Sequence, residues 1–279
     1  MTEIGASTAQ YTVALPGARR GALLLSWGAA TDIGRRRNHN EDSFLAASPI
    51  FVVADGMGGH ASGEVASTAV VERLAKAMSG DFTEQDAIEE SLRLATGDIG
   101  LAKDEHHLGV GTTVTGAALT LKRGKPYWTI FNVGDSRVYM FEHNELAQVT
   151  IDHSVVQELV DSGAITEEEA ESHPDSNIIT RAVGFNSEPM PDYWLLPVRA
   201  GLRLLLCSDG LTKEVGRERI RLHLAAGLSA NETALALVDA ALAAGGRDNV
   251  TVVVVDVVDV AEDAADAETA SNLPQKGGG

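Results

Sequence analysis

Short connections between β-type runs constrain this chain most. Thr112–Leu121, Tyr127–Val133 and Arg137–Glu142 carry the β-branched and aromatic residues of strands, with turn residues at Arg123-Gly124 and Gly134-Asp135-Ser136 between them. Connections this short join antiparallel neighbours, because a parallel pair needs a crossover of a dozen or more residues. The pattern therefore predicts an antiparallel meander and argues against a parallel dinucleotide-binding sheet. Other strand signals are a run from Leu23, the buried run Ile50–Ala54 between Pro49 and the glycines after Asp55, Leu202–Cys207, and the terminal run Val250–Val258. Helical spacing marks Ser62 to Met78, and about Glu84 to His106 with Thr83 as N-cap. Two more helices are expected between Arg217 and Ala244, and mixed acidic sequence fills Ser154 to Asn186.

Composition narrows the function. The 279 residues, 44% hydrophobic and 22% charged, suffice for a sizeable core. With 22 basic against 40 acidic residues the net charge is −18, which repels nucleic acid and anionic lipid. A carboxylate excess usually means a solubilising surface; divalent cations are the other thing that carboxylates attract. The single cysteine, Cys207, excludes an internal disulfide and a Cys-rich zinc site, and its apolar run predicts a buried, inert thiol. No apolar segment has the length of a membrane span. Arg19-Arg20 before an apolar stretch imitates a signal peptide, but the stretch runs straight into Thr31-Asp32, so a strand and a cytoplasmic location are expected. Residues 1–22 read as a loose N-terminal extension, 23–259 as the folded domain, and 260–279 as an acidic disordered tail.

The chemistry-bearing residues gather at strand ends. Asp55-Gly56 closes Ile50–Ala54, Asp209-Gly210 closes Leu202–Cys207, Gly134-Asp135 closes Tyr127–Val133, and Asp248-Asn249 precedes Val250. Asn40-Glu41-Asp42 follows the first strand. Any single Asp-Gly is ordinary turn chemistry. Four strand-end aspartates are different, since strand ends on one edge converge and the gathered carboxylates need cations to offset their repulsion. Oxygen-only ligands select Mg²⁺ or Mn²⁺ over Zn²⁺ or Cu²⁺, so a binuclear centre is expected. Gly56-Met-Gly58-Gly-His-Ala61 also fits a dinucleotide fingerprint formally, but Asp55 would set a carboxylate beside the pyrophosphate.

Six segments in order then resemble the PPM family, the metal-dependent, type 2C serine/threonine protein phosphatases, in its bacterial branch. They are Gly34–Ser43, Val53–Glu64, Gly109–Thr113, Asn132–Arg137, Ser208–Gly210 and Gly246–Thr251. The resemblance covers about Ser26 to Val258. It implies an α+β fold: two antiparallel sheets packed as a sandwich, helices on both outer faces, and metals at one end. It further implies that Asp55 bridges two ions, with the Gly56 carbonyl added. Asp209 and Asp248 would hold one ion, and Glu41 and Asp42 would act through metal-bound waters. Asp135 with Asp209 would form a third-ion site, and about 152–186 would be a flap beside the active site.

The implied reaction is hydrolysis of phosphoserine and phosphothreonine by direct attack of a metal-bridging hydroxide on phosphorus. Arg37 would grip two phosphate oxygens with its planar fork, and His60 would protonate the departing oxygen. His39 and His153 receive no role. The expected partners are phosphorylated proteins and the serine/threonine kinases whose signalling such an enzyme reverses. The rival readings are a phosphatase-like binding module without turnover and a hydrolase of small phosphate esters.

Overall fold

The computed structural model describes residues 1–16, 21–58, 61–102 and 109–261. In chain order the elements are β1 (Glu3–Gly5), β2 (Thr8–Ala14), β3 (Ala22–Asp32), β4 (Asp42–Ala47), β5 (Ile50–Met57), α1 (Ala61–Ala77) and α2 (Gln85–Ala102). There follow β6 (Gly111–Thr112), β7 (Val114–Lys122), β8 (Lys125–Val133), β9 (Arg137–Glu142), β10 (Glu145–Gln148), α3 (Val155–Asp161) and α4 (Glu167–Glu171). The last are β11 (Asp192–Pro197), β12 (Arg203–Cys207), α5 (Asp209–Thr212), α6 (Arg217–Leu224), α7 (Ala230–Ala244) and β13 (Val250–Ala261).

Burial explains the layering. β5 is apolar on consecutive residues because it is covered on both faces. Phe51 and Val53 enter the core between the sheets, while Ile50, Val52 and Ala54 meet Val70 and Leu74 of α1 and Leu92 of α2. The first sheet runs β1-β4-β5-β7-β8-β11, with β6 paired to β5, and the second runs β10-β9-β12-β13-β3-β2. On the outer face of the second sheet, Leu205, Cys207, Val252 and Val254 pack with Ile220 and Leu224 of α6 and Leu237 and Ala241 of α7. The result is the expected α-β-β-α sandwich. Trp27, Phe51 and Trp128 pack edge to face through the central layer, with ring centroids 5.3 and 6.0 Å apart. Among the described residues no helix is long and apolar enough to cross a membrane.

Three local expectations need correction. β7 and β8 form a hairpin whose turn residues Arg123 and Gly124 both have positive φ, but β9 pairs with β12 and β10 in the other sheet. Gly134-Asp135-Ser136 is therefore a crossover between sheets and not a hairpin turn, which sets Asp135 at the end of the sandwich. The N-terminal residues, read as a loose extension, supply an edge strand to each sheet: β1 runs parallel to β4, and β2 antiparallel to β3. Only Val13 of β2 is buried, so the segment shows no period in sequence. Finally, α2 starts at Gln85, and the Thr83 hydroxyl is buried without a partner instead of capping it. The tail from 262 onward lies outside the described residues.

Candidate metal centre and active site

The aspartates converge because two glycines let backbones touch. A Cβ on Gly56 would lie 2.1 Å from the Gly63 carbonyl oxygen at the start of α1, and one on Gly210 would lie 1.9 Å from the Asn249 carbonyl oxygen before β13. Neither glycine is required for a left-handed turn; both are required for close approach. Asp55 is then clamped from the neighbouring strands. Its N–H donates to Thr113 Oγ1 at 3.1 Å, and its carbonyl accepts from the Thr113 N–H and the Thr112 hydroxyl, each at 2.9 Å.

These contacts frame a cavity of about 480 Å³ at one end of the sandwich. Arg37, Glu41, Asp55, Gly56, Asp135, Asp209 and Asp248 all line it, together with Thr113, Lys213, Asn177 and Ile179. Of the site residues expected from sequence, Asp42 does not line the cavity. It is buried at the junction of β4, β12 and β13, where Oδ2 accepts from Ser208 Oγ at 2.9 Å and Thr251 Oγ1 at 2.7 Å. His60 lies outside the described residues.

The electrostatics are those of a carboxylate cluster short of positive charge. Burial, then the charges of Asp42, Asp209, Asp135 and Asp248, push the Asp55 carboxyl well above its ordinary range. Burial and Asp209 hold Asp135 near 7, and burial likewise lifts Asp42 to about 7. Glu41 is raised by burial, against the pull of Arg37. Two cations answer this. Arg37 Nη2 donates to Asp248 Oδ2 at 2.7 Å, which raises the guanidinium pKa further. Lys213 is ion-paired to Asp209 and donates to Asn177 Oδ1 at 2.6 Å.

The donor set suits a hard divalent cation. Glu41 Oε1 and Asp209 Oδ1 are buried with no hydrogen-bond partner. An orphaned anionic oxygen of this kind costs free energy unless a cation meets it. Among the described residues no three His, Cys, Asp or Glu side chains form a ready metal cage. Ions such as Mg²⁺ keep several waters and need only one or two direct carboxylates each.

Sequence reasoning missed the residues that hold the rim in place. Asn249 Nδ2 donates to the carbonyls of Ile33 and His39, each at 2.9 Å, and its Oδ1 accepts from the Glu41 N–H at 2.9 Å. One side chain thereby ties the loop carrying Arg37 and Glu41 to β13. His153, given no role from sequence, has Nδ1 accepting the Gly134 N–H at 3.1 Å and Nε2 against Asp192 at 3.1 Å. Burial lowers its pKa, so the neutral ring buttresses the crossover that carries Asp135. Arg137 grips Asp152 through both Nε and Nη2, just before α3. The buried Cys207 thiol is pushed up to about 12 by burial, which agrees with the inert role expected of it.

A four-layer sandwich with aspartates gathered at one end is the arrangement that the resemblance to the metal-dependent phosphatases implies. Comparison with known proteins gives that class a name. A family model for protein phosphatase 2C matches residues 34–244. The Listeria welshimeri serine/threonine phosphatase stp is 38% identical over 239 residues, covering 81% of this chain and 93% of that relative. The Mycobacterium tuberculosis serine/threonine protein phosphatase PstP is 42% identical over 243 residues, covering 85% of this chain but 46% of that longer protein. A crystal structure of M. tuberculosis PstP/Ppp superposes with a TM-score of 0.76 at 39% identity, covering 84% of this chain and 98% of that one. The catalytic domain of PstP, in complex with two manganese ions, gives 0.74 at 39% identity, covering 85% and 100% of the two chains. The chain belongs to the protein phosphatase 2C family, in its bacterial branch, and is a phosphatase.

Proposed function

We propose that this phosphatase hydrolyses phosphoserine and phosphothreonine in proteins, using two divalent cations held by Asp55, the Gly56 carbonyl, Asp209 and Asp248, and no covalent enzyme intermediate. The observation that carries the reading is the convergence of these oxygens on one cavity, with the buried Asp209 Oδ1 unpaired. The printed names of the bacterial relatives and the manganese in the PstP structure support the substrate class and the metal. Bound Mn²⁺ or Mg²⁺ would supply Lewis acidity and a water acidified toward neutral pH.

The chain's own residues do the rest. Asp55, fixed through its backbone by Thr112 and Thr113, presents its carboxylate from a rigid strand end. Arg37 sits at the cavity rim, about half exposed, where its fork can leave Asp248 for two oxygens of a phosphoryl group. Glu41 orders water beside that group, and Asp42 serves by fixing the strand ends and adding negative charge near Asp55. The proton for the departing serine or threonine oxygen is assigned to His60 on the sequence pattern alone. Phosphoproteins are the proposed partners, and serine/threonine kinases in the cytoplasm are the activity opposed.

The test is hydrolysis of phosphoserine and phosphothreonine peptides after chelation and readdition of metal. Mn²⁺ or Mg²⁺ should restore turnover, Zn²⁺ should not, and Asp55→Ala should abolish it. Arg37→Ala should raise KM while calorimetry still finds the ions bound. Turnover in excess chelator, or a phosphorylated protein trapped by acid quench during the reaction, would sink the mechanism.

A further inference from the structure

Lys213 does something in the cavity that neither its sequence context nor the two-ion reading requires. It follows the single helical turn α5, and its N–H donates to the Asp209 carbonyl at 2.9 Å, so its position relative to Asp209 is fixed by backbone geometry. From there its ammonium pairs with Asp209 Oδ2. The other oxygen of the same carboxylate, Oδ1, is buried and has no partner. Asp209 thus divides its two oxygens, one committed to an ammonium and one free for an ion. Asp135, almost wholly buried at the crossover, lines the same cavity as Asp209 and Lys213. The ammonium therefore lies in the cavity shared by the two carboxylates for which the family resemblance implies a third ion, and is paired to one of them. A dication there would have to evict Lys213 from Asp209 Oδ2 or sit against a like charge.

The same nitrogen also reaches the flap. Lys213 Nζ donates to Asn177 Oδ1 at 2.6 Å. Asn177 lines the cavity next to Ile179, which bridges back to Ser154 at the start of α3. One side chain so connects a metal-site aspartate to the segment that walls the cavity.

We propose that Lys213 is a resident cation that takes the place of a third divalent ion at Asp135 and Asp209, and that it tethers the flap through Asn177. Lys213 is a positioning residue: it sets the charge and the wall of the site and needs no contact with the phosphate. The inference rests on the two-ion reading, and the test separates the two.

Manganese bound per chain, measured by equilibrium dialysis with elemental analysis, should saturate at two ions for the wild type. Asp135→Asn should leave that count at two. Lys213→Met, which keeps the length of the side chain and removes its charge, should raise the count to three. The double variant Lys213→Met/Asp135→Asn should return it to two. Amide hydrogen exchange should quicken around residues 175–179 in Lys213→Met and in Asn177→Ala alike. A third ion in the wild type that Asp135→Asn removes would overturn the proposal. So would a count of two in a folded Lys213→Met. Fewer than two ions in the wild type would fail the two-ion reading itself, and the Asp135 and Lys213 variants would then be silent on count. If Lys213→Met does not fold, the wild-type and Asp135→Asn counts still decide, because neither depends on that variant.

Discussion

Gly56 and Gly210 show how a single missing methyl group can make a site. Each follows an aspartate, and each faces a carbonyl oxygen closer than any Cβ could tolerate, at 2.1 and 1.9 Å. Gly56→Ala should therefore push β5 from the start of α1 and carry Asp55 with it. The expected result is a stability loss of about 1–3 kcal/mol, as for other overpacked sites, with a disproportionate loss of manganese affinity by calorimetry. A variant of normal affinity would mean that the loop relaxes without moving Asp55. Asn249 makes the complementary case, since one side chain meets three backbone groups of the Arg37 loop. Asn249→Ala leaves those groups short of partners, at about 1–3 kcal/mol for a buried unsatisfied group. KM for phosphopeptide should rise as in Arg37→Ala, with ion binding kept. An unchanged KM would show that the loop holds its shape without Asn249. The aspartates themselves were legible in sequence because strand-end carboxylates beside glycines are a local pattern. Asn249 and Lys213 were not, because their partners lie far away in sequence and an Asn or Lys in a turn carries no pattern of its own.

At the scale of elements, burial pattern decided what could be read. β5, β12 and β13 are covered on both faces, so their apolar runs announced them. β9 looked like the third strand of a meander because a short turn joins it to β8, and only tertiary packing sends it to the second sheet. β1 and β2 were invisible, being edge strands with few buried residues. Yet they form a strap across one side of the sandwich. β1 ends the first sheet, β2 ends the second, and between them the Ala6 carbonyl accepts from Trp27 Nε1 at 2.9 Å. Tyr11 then packs edge to face on Trp27, with centroids 5.3 Å apart, and Val13 is fully buried. Deleting residues 8–14, the β2 strand, should uncover that flank of the core while sparing the contacts that Met1 and Thr2 make with Asn40 and Ser43 beside the cavity. Burial of Val13 alone is worth about 1.5–3 kcal/mol, and each kcal/mol moves Tm by about 2–4 °C in a domain of this size. The shortened protein should melt several degrees lower by calorimetry, with kcat retained at low temperature. An unshifted Tm would make β2 dispensable.

For the whole molecule, the buried carboxylate cluster sets how stability depends on pH. Asp42 and Asp135 are held near 7 in the folded chain against an ordinary 3.8, and Asp55 is also pushed well above its ordinary range, all by burial first and neighbouring carboxylates second. A carboxyl whose folded pKa is raised takes up protons on folding, so its penalty is full above the folded value and is relieved as pH falls toward 3.8. In excess chelator these carboxyls should make the protein gain stability as pH is lowered from about 8 to about 6, and their cost should be greatest above 7. Bound cations invert that logic, because they favour the ionised carboxylates that burial disfavours. Manganese should then raise Tm far more at pH about 8 than at pH about 6, since the ligands are deprotonated at the higher pH and the ion has the most repulsion to neutralise. Differential scanning calorimetry across that range, with and without chelator, measures both slopes. A manganese effect independent of pH would mean that the ions do not meet these buried carboxylates. The Asp55→Ala variant supplies the control: with one raised carboxyl and one ligand removed, both its pH slope in chelator and its gain from manganese should shrink together.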